Sequence, residues 1–336
     1  MRKWRGLLNA RAEDGRPKLF IHAGLHKTGT TALQEWLARN RAALAGQGIL
    51  YPRAGCSGEA PGQHNLAWQL MRDRRFHSAY GTLEDLAAEI EAHPGDVLLS
   101  SEDFGTLLER PEMFDALGLH PRLKTRRVVL VVYMREQLSC FRSLFVQLTR
   151  NGLAEEVPRL VEEIFETGKL RLKEWEFLFD YGRVAARLAG WRHGGFVLRN
   201  YHRLEGGGIV PDFLNFLRPG WQGPDAGAAR VNEERDLLEA LLAFYGARLP
   251  LPLNEWQRAV LAAESAKLEG ASPGLSEPMR RRFAQRFRDG NRELERIGGR
   301  QMRFPDLPVC GDDNAALERL FSFEMQCRLM GSGTGR

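Results

Sequence analysis

Residues 18–31 read KLFIHAGLHKTGTT, and this stretch decides how the rest of the chain is interpreted. It opens with the short apolar run Leu19–Ile21, passes through a loop that contains Gly24 and Gly29, and continues into a segment with helical spacing of apolar residues. A strand that turns through such a loop into a helix directs backbone N–H groups and the positive end of the helix dipole at one point. The stretch therefore predicts a binding site for an anion such as phosphate.

The position of the lysine separates two kinds of anion loop. The two glycines have the spacing of the nucleotide-triphosphatase pattern GxxxxGK[ST], but Thr30 follows Gly29 and the lysine lies earlier, at Lys27. A lysine after the second glycine reaches β- and γ-phosphates beside a magnesium ion, whereas Lys27 is placed to address the bridging oxygen of a shorter anhydride. For the loop taken alone, a tight turn between a strand and a helix is the alternative.

Short apolar runs recur along the chain between amphipathic segments. Besides Leu19–Ile21, they lie at Ile49–Tyr51, Val97–Leu99, Val128–Met134 and Phe196–Leu198. Strand-length runs that alternate with helical segments are typical of βαβ units around a parallel sheet. The longest run is apolar on both faces, as a central strand covered by helices requires. We predict an α/β fold of P-loop type, with a central parallel sheet flanked by helices and a helical C-terminal cover.

The same pattern predicts how the chain is divided. We expect an N-terminal extension at residues 1–17, a single α/β domain at 18–330 and a flexible tail at 331–336. The predicted strands place the core of the domain at about 18–220. Because no strand pattern occurs between Glu233 and Ile297, we expect the region of about 228–330 to form the helical cover.

Composition excludes several classes of protein. Of the 336 residues 43% are hydrophobic and 27% are charged, which excludes a disordered or fibrous chain. The formal net charge of +5 suits a small phosphorylated or sulfated ligand and does not indicate nucleic acid. No apolar run is long enough to span a bilayer, the first 16 residues lack the core of a secretory signal, and the four cysteines have neither disulfide nor metal-ligand spacing. We expect a cytoplasmic protein with no metal, no nucleic-acid partner and no transmembrane segment.

A second motif follows the longest apolar run. Arg135 stands at the end of that run, and Ser143 comes eight residues later within the next predicted helix. Together with the sequence KTGTT at 27–31, this pair resembles the sulfotransferase family that uses 3′-phosphoadenosine 5′-phosphosulfate (PAPS). In that family the loop binds the 5′-phosphosulfate, and an Arg and a Ser at this spacing bind the 3′-phosphate. A guanidinium offers paired donors to phosphate, and a hydroxyl adds a directional hydrogen bond.

The resemblance covers about residues 18–220 and implies a set of donor-binding residues. A third match is Tyr201, which follows the run Phe196–Leu198 where the family has an aromatic residue near the adenine. His202 and Arg203 replace the acidic pair that is common at this point of the family, and a packed strand-end residue is the alternative for the tyrosine. The residues implied to bind PAPS are His26, Lys27, Thr28, Gly29, Thr30, Thr31, Arg135, Ser143 and Tyr201.

Sulfuryl transfer also requires a group that removes the proton of the acceptor and a charge that stabilises the leaving oxygen, a task that suits Lys27. The resemblance implies that the base is a His or a Glu. Glu102 is the first candidate, because it follows the predicted strand Val97–Ser101 at the edge where ligands collect in open α/β sheets. A first-turn acid of a helix over Phe104–Leu108 is the alternative for Glu102. His64, which follows a Gly/Pro-rich loop, is the second candidate.

The resemblance implies an enzyme that transfers a sulfuryl group from PAPS to a hydroxyl or amine of a small-molecule or glycan acceptor, a carbohydrate or a glycolipid. Adenosine 3′,5′-bisphosphate is then the second product, and no metal is required. One alternative is a P-loop small-molecule kinase, disfavoured because Thr30 stands where its lysine belongs. The other alternative is a non-catalytic nucleotide-binding module.

Overall fold

The computed structural model describes residues 15–58, 60–150, 157–226, 237–267, 277–305, 319–320 and 322–331. The chain divides into two compact units, the first made of residues 1–135, 174–231 and 289–304, and the second of residues 136–173, 232–288 and 305–336. The prediction of a single domain from 18 to 330 stays a prediction. Residues 1–14 of the predicted extension and 332–336 of the predicted tail lie outside the described residues, and Gly331 ends a helix.

The first unit contains a sheet of five parallel strands. They are β1 (Lys18–His22), β2 (Ile49–Leu50), β3 (Asp96–Ser100), β4 (Arg127–Met134) and β7 (Gly195–Asn200), in the order β2-β3-β1-β4-β7. Two further strands, β5 (Lys169–Leu172) and β6 (Trp175–Leu178), lie outside this sheet. Each of the five predicted apolar runs forms a strand of the central sheet, so the predicted α/β fold with a parallel sheet is confirmed.

Eight of the described α-helices lie between these strands, and five more follow β7. They are α1 (Thr30–Arg39), α2 (Arg41–Gly46), α3 (His64–Met71), α4 (Leu83–Glu91), α5 (Asp115–Gly118), α6 (Gln137–Arg150), α7 (Val157–Thr167), α8 (Tyr181–Gly190), α9 (Ile209–Leu217), α10 (Leu237–Arg248), α11 (Glu255–Ala266), α12 (Glu277–Gly298) and α13 (Phe323–Gly331). In the second unit α10 packs against α6 and α11. Among the described residues no helix is long and apolar enough to cross a membrane.

Two apolar cores cover the two faces of the sheet. Because successive side chains of a strand point to opposite faces, Leu19 and Ile21 of β1 join one core and Phe20 joins the other. The first core includes residues of α3, α4 and α8, and the second includes residues of α1 and α9. All eight residues of β4 are buried, including Arg127, and the burial of Val128–Met134 agrees with the uninterrupted apolar run there.

A buried ion pair between Arg199 and Asp212 connects β7 to α9. The guanidinium of Arg199 donates from Nε to Asp212 Oδ2 at 2.8 Å and from Nη2 to Asp212 Oδ1 at 2.6 Å. Tyr133 donates its hydroxyl hydrogen to Asp212 Oδ2 at 2.6 Å, which links β4 to the same carboxylate. The strand end that precedes Tyr201 is therefore fixed by a hydrogen-bonded charge pair rather than by apolar contacts alone.

The carboxyl ends of β1, β3, β4 and β7 lie at one edge of the sheet, because the strands are parallel and adjacent in register. His22 at the end of β1 pairs with Ser100 and with Val131, and Met134 pairs with Asn200. The segments that leave this edge contain most of the residues singled out from the sequence. Such an edge is where ligands bind in open α/β sheets.

Candidate functional site

The loop after β1 is held in shape by hydrogen bonds to the end of β4. Leu25 donates its backbone N–H to the carbonyl of Tyr133 at 2.9 Å, and Tyr133 donates its N–H to the carbonyl of Gly24 at 2.7 Å. The hydroxyl of Thr28 is buried and donates to the carbonyl of Leu25 at 2.6 Å. Thr28 thus stabilises the turn with its side chain.

The turn combines left-handed backbone with the start of a helix. Lys27 has a φ of 65° and Gly29 a φ of 80°. Gly29 is the N-cap of α1, and no side chain caps the first turn, which begins with the buried Thr30 and the exposed Thr31. The free N–H groups and the helix dipole therefore favour an anion at this point, with Lys27 on the same turn.

Arg135 contacts one residue of each of the two other motifs at the sheet edge. Arg135, directly after β4, donates from Nη1 to the carbonyl of Lys27 at 3.2 Å. Its guanidinium carbon also lies over the ring of Tyr201, which follows β7, at 5.2 Å from the ring centroid. The anion loop, the arginine and the aromatic face thus belong to one surface.

The residue after Tyr201 adds a neutral ring to this surface. The ring of His202 contacts Tyr201 and Phe304 edge-to-face. Burial, together with the charge of Arg135, lowers the pKa of His202 to about 4. At neutral pH the imidazole is therefore uncharged and Arg135 supplies the positive charge here. The sequence marked His202 only as a departure from the acidic pair of the family.

Ser143 is half-buried on α6, in the second unit. Its predicted contact with a 3′-phosphate stays a prediction. His26, in contrast, lies within the loop, where its ring packs edge-to-face on Phe177 at 4.7 Å. Burial lowers the pKa of His26 even though the negative charges of Glu102 and Asp103 oppose that effect. His26 is therefore a neutral ring between the loop and the acidic segment after β3.

Glu102 lies directly against the loop. Gly24 has a φ of 76°, and a Cβ there would come within 3.2 Å of the Glu102 Cα, so glycine favours this close approach. Glu102 Oε2 accepts a hydrogen bond from Nε2 of the buried Gln34 on α1 at 2.8 Å. The segment after β3 is a 3₁₀ helix over Glu102–Glu109, which contains the predicted helix over Phe104–Leu108 and begins two residues before it.

Ser101 explains where that 3₁₀ helix begins. Its hydroxyl accepts a hydrogen bond from the N–H of Asp103 at 3.1 Å and so caps the first turn, which contains both Glu102 and Asp103. The structural alternative for Glu102, an acid in a first turn, is therefore present as well. Its proposed chemical function requires a further argument.

His64 and Asp103 form a pair that the sequence analysis did not identify. His64 Nδ1 lies 2.7 Å from Asp103 Oδ2 and 2.9 Å from Ser101 Oγ. Because an ionised carboxylate only accepts hydrogen bonds, Nδ1 carries the hydrogen and Nε2 carries the lone pair of the neutral ring. No described residue donates to or accepts from Nε2, and the side chain is 12% exposed. The ring thus presents a basic nitrogen on the side away from Asp103.

Arg75 balances the charge behind this pair. Its guanidinium lies 2.8 Å from Asp73 Oδ2 and 3.6 Å from Asp103 Oδ1, and it covers the ring of Trp68 at 5.0 Å from the centroid. Trp68 in turn lies next to His64, with 6.1 Å between the two ring centroids. Arg75 therefore connects the pair of His64 and Asp103 to a second carboxylate, that of Asp73.

The charges around His64 and Asp103 move their pKa values apart. Burial alone lowers the pKa of His64, but the hydrogen bond to Asp103 and the charge of Glu102 outweigh burial and raise it above its ordinary value. Burial alone raises the pKa of Asp103, but the hydrogen bond from His64 and the charges of His64 and Arg75 outweigh it and hold that pKa below its ordinary value. The proton of the pair therefore belongs to the imidazole.

The same residues do not form a hydrolase triad. In such a triad the serine contacts one imidazole nitrogen and the carboxylate contacts the other. Here Ser101 and Asp103 both contact Nδ1 of His64. Among the described residues no group of three or more His, Cys, Asp or Glu side chains converges as a metal site. The arrangement suits proton transfer at Nε2 beside an anion loop.

Comparison of the chain with protein-family models, with curated proteins and with solved structures finds no match. The chemistry of the site is therefore inferred from its own residues and contacts. A signal for Asp103 was present in the sequence, since Ser101, Glu102 and Asp103 are three consecutive polar residues after a buried strand. Nothing in the sequence pointed to Gln34 or Arg75.

Proposed function

We propose that the protein transfers a sulfuryl group from PAPS to a hydroxyl or amine of an acceptor, a carbohydrate or a glycolipid. The observation that carries this proposal is the contact of Arg135 with both Lys27 and Tyr201. Three motifs that separately suggested a 5′-phosphosulfate loop, a 3′-phosphate ligand and an adenine contact are adjacent.

The parts of the donor match the parts of this surface. The loop amides and the start of α1 suit the 5′-phosphosulfate, and Lys27 suits the bridging oxygen that becomes anionic as sulfur leaves it. Arg135 offers paired donors to the 3′-phosphate, and the ring of Tyr201 offers a flat face to the adenine. We include three further points in this proposal. The fold is of P-loop type, the region of about 228–330 forms a helical cover, and Ser143 contributes to binding the 3′-phosphate.

The proposed reaction leaves one proton to be removed. The acceptor oxygen or nitrogen forms a bond to sulfur, and the bond between sulfur and the bridging oxygen breaks. The electron pair of that bond stays on the leaving oxygen of adenosine 3′,5′-bisphosphate. Glu102 and His64 both lie beside the loop as candidates to accept the proton of the acceptor.

Calorimetric titration with nucleotides tests donor binding. We expect adenosine 3′,5′-bisphosphate to bind without a divalent metal and more tightly than adenosine 5′-monophosphate, because only the bisphosphate engages Arg135. The variant Arg135→Ala should lose this difference, whereas Arg203→Ala, which removes an exposed arginine from the same turn, should keep it. Equal affinity for the two nucleotides in the unaltered protein would refute the 3′-phosphate assignment.

Two further results separate the alternatives. Binding of ATP with magnesium in preference to the bisphosphate would favour a P-loop kinase. Release of bisphosphate from PAPS, followed by mass spectrometry of a sulfated surrogate sugar, tests the transfer itself. If the protein binds the bisphosphate tightly but releases none of it from PAPS with any acceptor tried, the protein is a non-catalytic nucleotide-binding module.

A further inference from the structure

We infer that Asp103 is a positioning residue that holds His64 with Nε2 directed as the proton acceptor, and that Glu102 supplies charge to this site rather than the base. This inference rests on the proposed transfer reaction and chooses between its two candidate bases. It also assigns a function to a carboxylate that no motif pointed to.

The geometry of His64 is that of an oriented base. A ring whose Nδ1 is fixed by Asp103 at 2.7 Å and Ser101 at 2.9 Å has one tautomer and one orientation. Asp103 is itself fixed, because its own backbone N–H bonds to the Ser101 hydroxyl and its second carboxylate oxygen faces Arg75. A base oriented by a third group in this way needs no reorganisation before it accepts a proton.

Glu102 lacks this arrangement. Its Oε2 accepts a hydrogen bond from the Gln34 amide, a neutral donor that fixes the side chain against α1. Its negative charge acts on both neighbouring imidazoles, opposing the effect of burial at His26 and raising the pKa of His64. The charge of Glu102 therefore increases the basicity of His64.

Four charged or titratable groups surround the imidazole of His64, and they determine its response to pH. Asp103 and Glu102 favour its protonated form, and Arg75 disfavours it. His26 interacts electrostatically with His64, and burial lowers the pKa of His26. Since His64 must be neutral to accept a proton, transfer should rise as the pH rises through its pKa.

The step balances without any other reactant. The acceptor O–H bond breaks, its hydrogen moves to His64 Nε2 and its electron pair forms the new O–S bond. The bond from sulfur to the bridging oxygen breaks, and that oxygen leaves as the anionic 5′-phosphate group of the bisphosphate beside Lys27. The imidazolium, stabilised by Asp103, then releases its proton to water.

Histidine NMR without any nucleotide is the deciding experiment. In the unaltered protein labelled with ¹⁵N-histidine, we expect neutral His64 to carry its hydrogen on Nδ1. Asp103→Asn should lower the pKa of His64 by about one unit or more, the scale of a lost neighbouring charge. Asp73→Asn, which removes the other partner of Arg75 but no contact of His64, should leave the tautomer unchanged and move that pKa less. Hydrogen on Nε2, or an equal pKa in Asp103→Asn and the unaltered protein, would overturn the inference.

The pH profile of PAPS turnover provides the catalytic readout. We expect Asp103→Asn to lower the plateau by about tenfold or more and to shift the acid limb to lower pH, because the pKa of His64 falls. A merely structural loss would lower the plateau of the pH profile without moving its acid limb.

His64→Gln should reduce turnover more than Glu102→Gln does, and the reverse order would overturn the inference. If the bisphosphate fails to bind, the proposed function is wrong, whereas normal bisphosphate binding with an unmoved His64 pKa contradicts this inference alone.

Discussion

Among single residues, Lys27 combines a charge with an unusual backbone. Its φ of 65° lies in the left-handed region, and its carbonyl accepts the hydrogen bond from Arg135. A non-glycine residue keeps such a conformation only where surrounding contacts hold it. The loop therefore presents the lysine side chain from a backbone that is already fixed.

Lys27→Ala should separate catalysis from binding. Because the ammonium acts most strongly when the leaving oxygen becomes anionic, we expect turnover at saturating PAPS to fall about a hundredfold or more, with a smaller change in bisphosphate affinity. Initial rates and calorimetry measure the two effects. Lys27→Arg, which keeps a positive charge, is the control and should retain more turnover than Lys27→Ala. Weaker bisphosphate binding with unchanged turnover would contradict the assignment.

Loss of the buried carboxylate of Asp212 should strongly lower the free energy of unfolding. Asp212→Ala leaves the guanidinium of Arg199 and the hydroxyl of Tyr133 without their shared acceptor, and we expect a loss of about 3 to 5 kcal/mol in the free energy of unfolding. Urea denaturation measures it. Glu35→Ala, which breaks the exposed pair with Arg39, should leave the midpoint nearly unchanged. Equal effects of the two substitutions would show that the buried network is not important for stability.

The sequence pointed to candidate site residues where each follows a strand, and it did not reveal contacts where two distant segments meet. Lys27, Arg135 and Tyr201 were identified because apolar runs locate the strand ends at which they stand. Asp103 lies 39 residues from His64, and Gln34 lies 68 residues from Glu102. Such pairings depend on the order of the strands, which no local pattern contains.

Among the secondary-structure elements, α8 and α12 approach closely at two glycines. A Cβ on Gly182 would overlap the backbone of Gly290, so the helices touch without side chains between them. Local patterns placed the predicted strands and most helices well. They predicted a helix after β3 but not its type, because the apolar spacing at Phe104, Leu107 and Leu108 fits an α-helix and a 3₁₀ helix alike.

Gly182→Ala should therefore destabilise the first unit. The added methyl meets backbone that has no room to move aside, and we expect a loss of about 1 to 3 kcal/mol. Gly190→Ala on the same helix is the matched control, since nothing lies within 4 Å of its Cβ, and it should be neutral or stabilising by up to about 1 kcal/mol. Urea denaturation of both variants measures the difference. A Gly182→Ala protein as stable as Gly190→Ala would show that the two helices separate easily.

For the molecule as a whole, buried neutral histidines should control stability in mild acid. Burial lowers the pKa of His22 to about 3, and burial with the charge of Arg135 lowers that of His202 to about 4. In the unfolded chain both titrate near 6.5, so below that pH the unfolded chain binds more protons and stability falls with falling pH. His64, whose pKa is raised, acts in the opposite sense and loses its contribution as the pH rises through its folded pKa.

Urea denaturation at pH 7, 6 and 5 measures this effect. We expect His22, fully buried, to lower the free energy of unfolding by about 1.4 kcal/mol for each pH unit below about 6. His22→Gln should reduce this slope even if it lowers the stability at pH 7. His202→Gln should reduce it less, because that ring is partly exposed. An unchanged slope in His22→Gln would mean that other groups dominate the acid response.

The central position of β1 has a consequence for the order in which the protein acquires its shape during synthesis. The loop depends on hydrogen bonds to Tyr133 and Arg135, which leave the ribosome roughly 110 residues after β1. At a synthesis rate of about 5 to 20 residues per second, roughly 5 to 20 seconds pass between the synthesis of β1 and that of these partners. A nascent chain released before Arg135 therefore exposes an apolar strand and lacks the hydrogen-bond partners of the loop after β1. The surface that contains Lys27, Arg135 and Tyr201 forms late, as a product of long-range strand pairing, and not as an early local unit.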